Sequence, residues 1–166
     1  MAMASYVAVC GPDPCTREVA DQAEIVGRLL ARAGAVVVSG GHGGVMGAAS
    51  KGAVQEGGTV IGILPGSYRA EGNPHLTVSI PTGMGEMRNA LIVRSADALI
   101  AVAGEFGTLS EIALALKVGV PVVGLGTWEL AKSGQRIHAF AEVASPEEAV
   151  QQALRLARDR SGGESG

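Results

Sequence analysis

Three segments of the chain combine residue types whose chemistry is recognisable. The densest is Ser39-Gly40-Gly41-His42-Gly43-Gly44-Val45-Met46-Gly47, with five glycines in nine residues where a tight turn needs one or two. It stands between an apolar run and a helical pattern, so its free N–H groups and the positive end of the helix dipole would form an anion site. A phosphate group is the expected guest. The segment is not a Walker loop, because the lysine and hydroxyl of GxxxxGK[ST] are missing, and Gly41 to Met46 fails GxGxxG at its last position.

The second segment is Ala103-Gly104-Glu105-Phe106-Gly107-Thr108-Leu109-Ser110-Glu111. Two readings stand side by side. Thr108 and Glu111 have the Thr-x-x-Glu spacing of a capping box, in which Glu111 closes its own helix. Alternatively, Gly104 and Gly107 admit a ligand, and Glu111 points back over the glycine-rich rim to hydrogen-bond ribose hydroxyls or act as an acid or base. The third segment is Arg88-Asn89, at the start of a further helix. An arginine there opposes the helix dipole, and a bound anion would account for it.

Other reactive side chains are less informative. His42 lies inside the glycine loop without an assignable role, and His75 and His138 read as structural. No His, Cys and carboxylate set has metal-ligand spacing, so no metal is expected. There is no GxSxG nucleophile elbow. Cys10 and Cys15 are too few for a disulfide scaffold and read as reduced thiols, Cys10 being a small buried residue.

The elements that must position these residues alternate in the α/β manner. Strands are expected at 5–10, 35–39, 59–64, 75–80, 98–102 and 121–125, with a short one near 138–143. Helices are expected at 16–33, 45–56, 84–95 and 109–118. Ser145-Pro146-Glu147-Glu148 is a capping-box signature for a last helix reaching about Arg160. Runs such as VAVC, AVVVS and VIGIL are apolar throughout, which suits strands covered on both faces of a parallel sheet. In such a sheet ligands bind outside the carboxyl ends of the strands. Thirteen glycines fall on that rim (11, 40, 41, 43, 44, 47, 66, 83, 85, 104, 107, 124 and 126) against four on the opposite one (34, 57, 58 and 119). Gly11, directly after the first strand, joins the expected site for this reason.

Composition bounds the remaining possibilities. The chain has 166 residues, the size of one domain, expected over 1–160 with a frayed tail at 161–166. Its 25 glycines are about twice the roughly 12 of average usage, without the period of collagen. A net charge of −3 with no basic run, together with 3% aromatic residues, argues against nucleic-acid binding. Apolar stretches are too short to span a bilayer, and the first residues lack the basic region of a signal peptide, so a cytoplasmic location is expected.

The glycine-rich segment SGGHGGVMGAASKGAVQEGGTVIGILP resembles the corresponding strand, helix and strand of the Lonely Guy family, also labelled lysine decarboxylase-like. AGEFGTLSE is similar to that family's PGGxGTxxE motif, with Gly104, Gly107, Thr108 and Glu111 matching, and Arg88 stands at the place of its catalytic arginine. The resemblance covers roughly residues 5 to 126. It implies a Rossmann-like three-layer sandwich with a mostly parallel sheet of six or seven strands, and a homodimer or higher homo-oligomer built through helices such as 84–95 and 109–118. It also implies phosphoribohydrolase activity on a nucleoside 5′-monophosphate, with Arg88 and Glu111 as catalytic residues and no cofactor required. Gly11, Gly40, Gly41, Gly43, Gly44, Met46, Arg88, Asn89, Gly104, Gly107 and Thr108 would bind the ligand.

Four departures stand out: Ala103 replaces the motif's proline, Glu105 its second glycine, Asn89 the lysine after the arginine, and Gly85-Glu86 the Met-His before it. With Arg-Asn and GTLSEIA in a short chain, the sequence is similar to the group containing molybdenum cofactor carrier proteins. These bind a phosphorylated pterin without turning it over, and that resemblance implies the molybdenum cofactor as bound cargo.

Overall fold

The computed structural model describes residues 3–163. In chain order the elements are β1 (Tyr6–Cys10), α1 (Arg17–Arg32), β2 (Val36–Ser39), α2 (Gly44–Gln55), β3 (Val60–Leu64), β4 (Val78–Pro81), α3 (Asn89–Arg94), β5 (Ala98–Val102), α4 (Phe106–Val118), β6 (Val122–Leu125), β7 (Leu130–Lys132), β8 (Gln135–Ile137), β9 (Ala141–Val143) and α5 (Pro146–Gly163). Seven strands form one sheet in the order β4-β3-β2-β1-β5-β6-β9, and every neighbouring pair is parallel.

Strand alternation divides the core into two layers. Val7 and Val9 of β1 pack with Ala23, Val26 and Leu30 of α1, Val45 and Ala49 of α2, and Ala149 and Ala153 of α5. Ala8 and Cys10 face the other way, toward Ile92 and Val93 of α3 and Ile112 and Ala115 of α4. Central strands therefore have no solvated face, which is why they read as unbroken apolar runs. The expected α/β three-layer sandwich is what forms.

The order of strands places the site. From β1 the chain steps outward through β2, β3 and β4, then returns to β5 on the other side of β1. The loops after β1 and β5 thus diverge, and a crevice opens between them at the carboxyl edge, the switch point of a doubly wound sheet.

Several boundaries differ from expectation. The single helix expected over 84–95 is a 3-10 turn at Gly85–Arg88 followed by α3, because Gly85 at φ +57 holds its start out of the α region. The fourth strand begins at Val78, three residues later than expected. Residues 126–144 contain a separate antiparallel hairpin, β7 with β8, that short polar runs did not signal. Helix α5 continues to Gly163, so the first three residues of the tail expected over 161–166 are helical, and 164–166 lie outside the described residues. Its Ser145 hydroxyl accepts from Glu148 N–H at 3.2 Å, but the Glu148 carboxylate takes the N–H of Ala144 rather than that of Ser145. Among the described residues no helix is long and apolar enough to cross a membrane.

Candidate functional site

A cavity of about 230 Å³ lies at the switch point, lined by Gly11, Pro12, Asp13, Gly40, His42, Met46, Glu86, Arg88, Asn89, Glu105, Gly107, Thr108 and Glu111. Of the residues expected at the site, Gly11, Gly40, Met46, Arg88, Asn89, Gly107, Thr108 and Glu111 are brought together on its wall. Gly41, Gly43, Gly44 and Gly104 are not among its lining residues.

The glycine loop explains that division. Gly44 has φ +53, and a Cβ on it would lie 2.3 Å from the carbonyl oxygen of Pro12, so it lets the loops after β1 and β2 touch. Three of the loop's N–H groups are committed within the protein. Gly41 N–H donates to Ser39 Oγ at 3.1 Å, Gly43 N–H to Asp13 Oδ2 at 3.0 Å, and Val45 N–H to Pro12 O at 3.0 Å. A carboxylate of the protein's own thus sits at the start of α2, where its charge complements the helix dipole. Asn73 holds the loop from behind, its Nδ2 donating to His42 O at 2.9 Å.

The cation at the site is Arg88, only 5% exposed. Its Nε donates to Ile63 O at 2.9 Å, and Nη1 donates to Asn89 Oδ1. The sole carboxylate within 4.0 Å of it among the described residues is that of Glu86, at 3.9 Å and almost entirely in solvent. A buried guanidinium without a close, buried counter-charge is costly, and an anion in the cavity removes the cost. Gly40 gives it room: a Cβ there would meet Arg88 Nη2 at 2.7 Å and Met46 Sδ at 3.3 Å.

Across the cavity Glu111 is 8% exposed. It does not cap its helix. The box that closes α4 pairs Glu105 with Thr108: Glu105 N–H donates to Thr108 Oγ1 at 3.3 Å, and the Glu105 side chain accepts the Thr108 N–H. This places the Glu105 charge at a helix start, where it is favourable. Burial pushes the Glu111 carboxyl up to about 7, against the opposing pull of Arg88 and of the hydrogen bond from the Cys10 thiol. The Cys10 thiol is itself pushed well above its ordinary value, by burial first and then by the Glu111 charge. Such a thiol stays protonated and is no nucleophile. Both cysteines are free.

Asp13, Glu86 and Glu105 line the cavity but were not among the expected site residues. Asp13 carried a usable signal: it follows the first strand, whose loop borders the switch point in any sheet of this kind. Glu86 and Glu105 were visible only as departures from a family motif.

These features define a class, a Rossmann-type α/β protein with its crevice at the carboxyl edge of a parallel sheet. Within that class the chain belongs to the SLOG cluster4 family, whose model matches residues 4–152. A molybdenum cofactor binding protein from the phototrophic bacterium Rippkaea orientalis is 32% identical, covering 94% of this chain and 99% of that one, with a TM-score of 0.84. The molybdenum cofactor carrier protein of Chlamydomonas reinhardtii is 30% identical over 94% of this chain and 99% of its own, with a TM-score of 0.80. DNA processing protein A of Helicobacter pylori, described for its single-stranded DNA binding mode, shares the fold at 20% identity, over 91% and 80% of the two chains, with a TM-score of 0.69.

Proposed function

We propose that this protein binds the molybdenum cofactor, a phosphorylated pterin, and carries it without chemical change. The observation that carries the reading is Arg88, a buried cation on the cavity wall with no buried carboxylate within 4.0 Å among the described residues. Arg88 would hold the phosphate, with Asn89 fixing one side of its guanidinium and Ile63 O the other. The likeness to two proteins named for binding or carrying this cofactor, along nearly their whole length, supports the same ligand class. A cargo site needs a pocket and an anchor rather than a general base poised on a water, and Glu111 is then part of the binding wall.

The opposing reading, hydrolysis of a nucleoside 5′-monophosphate, draws on one observation: Arg88 and Glu111 line the same cavity. In it Glu111 would assist departure of the base through an oxocarbenium-like state. One experiment separates them. Purified protein is analysed by mass spectrometry for a co-purifying phosphorylated pterin and incubated with AMP and a cytokinin nucleotide. A bound pterin with no free base released is expected. Release of base, or no affinity for a phosphorylated pterin, would overturn the carrier reading.

A further inference from the structure

An anion seated against Arg88 shares its cavity with four carboxyl groups. Asp13 arrives from the loop after β1, Glu86 from the 3-10 turn before α3, and Glu105 and Glu111 from the start of α4. His42, from the loop after β2, is the other ionisable group on the wall, and the Cys10 thiol of β1 is the titratable group beside Glu111. Asp13, Glu86 and Glu105 are exposed, and water and salt screen them. Glu111 is buried, so its charge would act on a bound anion with little screening. Arg88 does not cancel that charge by contact: the two groups form no ion pair within 4.0 Å, and the guanidinium is held by Ile63 O and Asn89 instead.

A carboxyl group in this position can avoid repelling an anion in one way, by keeping its proton. As a neutral acid it gains an O–H donor and loses its charge. We propose that Glu111 engages the anionic group of the ligand as a protonated hydrogen-bond donor, so that capture at Arg88 takes up one proton from solvent. The inference rests on the phosphate-binding reading above and assigns Glu111 a binding role within it. Burial by itself favours the neutral form, and a bound anion would favour it further. Capture is therefore strongest at and below neutral pH, and release is promoted by alkali.

The test uses the full chain and two probes, inorganic phosphate and an oxidised pterin carrying a phosphate monoester, titrated calorimetrically from pH 6 to 9. Affinity of the wild type is expected to fall about tenfold for each pH unit above 7, as one-proton linkage requires. At pH 8, measurements in two buffers of different ionisation enthalpy should give an uptake approaching one proton per site. The Glu111→Gln variant keeps an N–H donor without a charge, so it should lack the roughly tenfold fall per pH unit that the wild type shows above pH 7 and take up no proton at this site. The phosphate monoester itself titrates at about pH 6, alike in both proteins, so the difference between them isolates Glu111. His42 is likewise unchanged in the variant. Equal pH slopes in the two proteins, or no proton uptake by the wild type, would overturn this inference while leaving the carrier reading intact. Failure of the pterin to bind at every pH would remove both.

Discussion

Gly40 and Arg88 are matched across the cavity: the hydrogen on Gly40 faces the guanidinium, and a Cβ in its place would lie 2.7 Å from Nη2 and 3.2 Å from Cζ. Substituting Gly40→Ala must therefore move the end of the arginine side chain, which is flexible enough to yield without unfolding the strand behind it. The expected loss is that of one charge-assisted hydrogen bond, about 1.5–3 kcal/mol. Affinity for inorganic phosphate or a phosphorylated pterin should fall roughly 10- to 100-fold. Calorimetric titration of the variant checks this, and unchanged affinity would show that Arg88 is not the anchor.

Asp13 competes with any anion at the start of α2, since its carboxylate already accepts the Gly43 N–H at 3.0 Å. Asp13→Asn keeps an oxygen for that bond and discards the charge. Phosphate affinity should rise by roughly two- to fivefold, the size of a screened surface interaction. Asp13→Ala also removes the acceptor at a helix N-terminus, at a cost of about 1 kcal/mol. Urea unfolding should thus separate Ala from Asn, while titration should place both above the wild type in affinity.

Glu111 makes stability depend on pH in an uncommon direction. Its carboxyl ordinarily releases a proton at 4.5, and in the folded protein it holds one to about 7. The native state consequently binds more protons in that window. Its contribution to stability is complete below pH 4.5 and is lost as pH rises through 7. Glu111→Gln should be nearly neutral at pH 5 and stabilising at pH 8, by on the order of 3 kcal/mol. Denaturant unfolding at the two pH values measures it; destabilisation at pH 8 would mean that the ionised carboxylate is the preferred native form.

The sheet was legible because each central strand is covered twice, which leaves a signature of β-branched runs such as Val36 to Val38. The carboxyl rim was legible too, and Arg88 and Glu111 do line one cavity there. The meaning of the glycines was harder to read. Composition distinguishes a residue that must be small from one that is not, but not whether a ligand or another loop requires it. Gly40 makes room for Arg88, whereas Gly44 makes room for Pro12, and only the folded backbone separates the two. The capping of α4 was not legible for a related reason. Glu105 and Thr108 satisfy the same spacing rule as Thr108 and Glu111, and the turn's entry angle chooses between them. The β7–β8 hairpin, three residues a side and largely exposed, has too little apolar patterning to be seen in advance.

One apolar surface is left uncovered on the α3–α4 side of the sheet. Register pairs Ile61 with Val78 and Ile63 with Ile80, so these β4 side chains lie on the face whose centre is roofed by α3 and α4. Val78 and Ile80 are nonetheless exposed, as are Met84, Leu91 and Met87, the last at 74%. Exposed apolar side chains gathered on one side of a sheet point to association. A second copy of this chain packing on it would bury Met87 and Leu91 beside the cavity mouth. The wild type is accordingly expected to elute as a dimer or larger species on sizing chromatography with light scattering, and the double substitution Met87→Glu with Leu91→Glu to shift it to the monomer. Because both side chains point to solvent within one chain, the variant should keep its helical circular dichroism. A wild-type monomer at micromolar concentration would exclude the assembly.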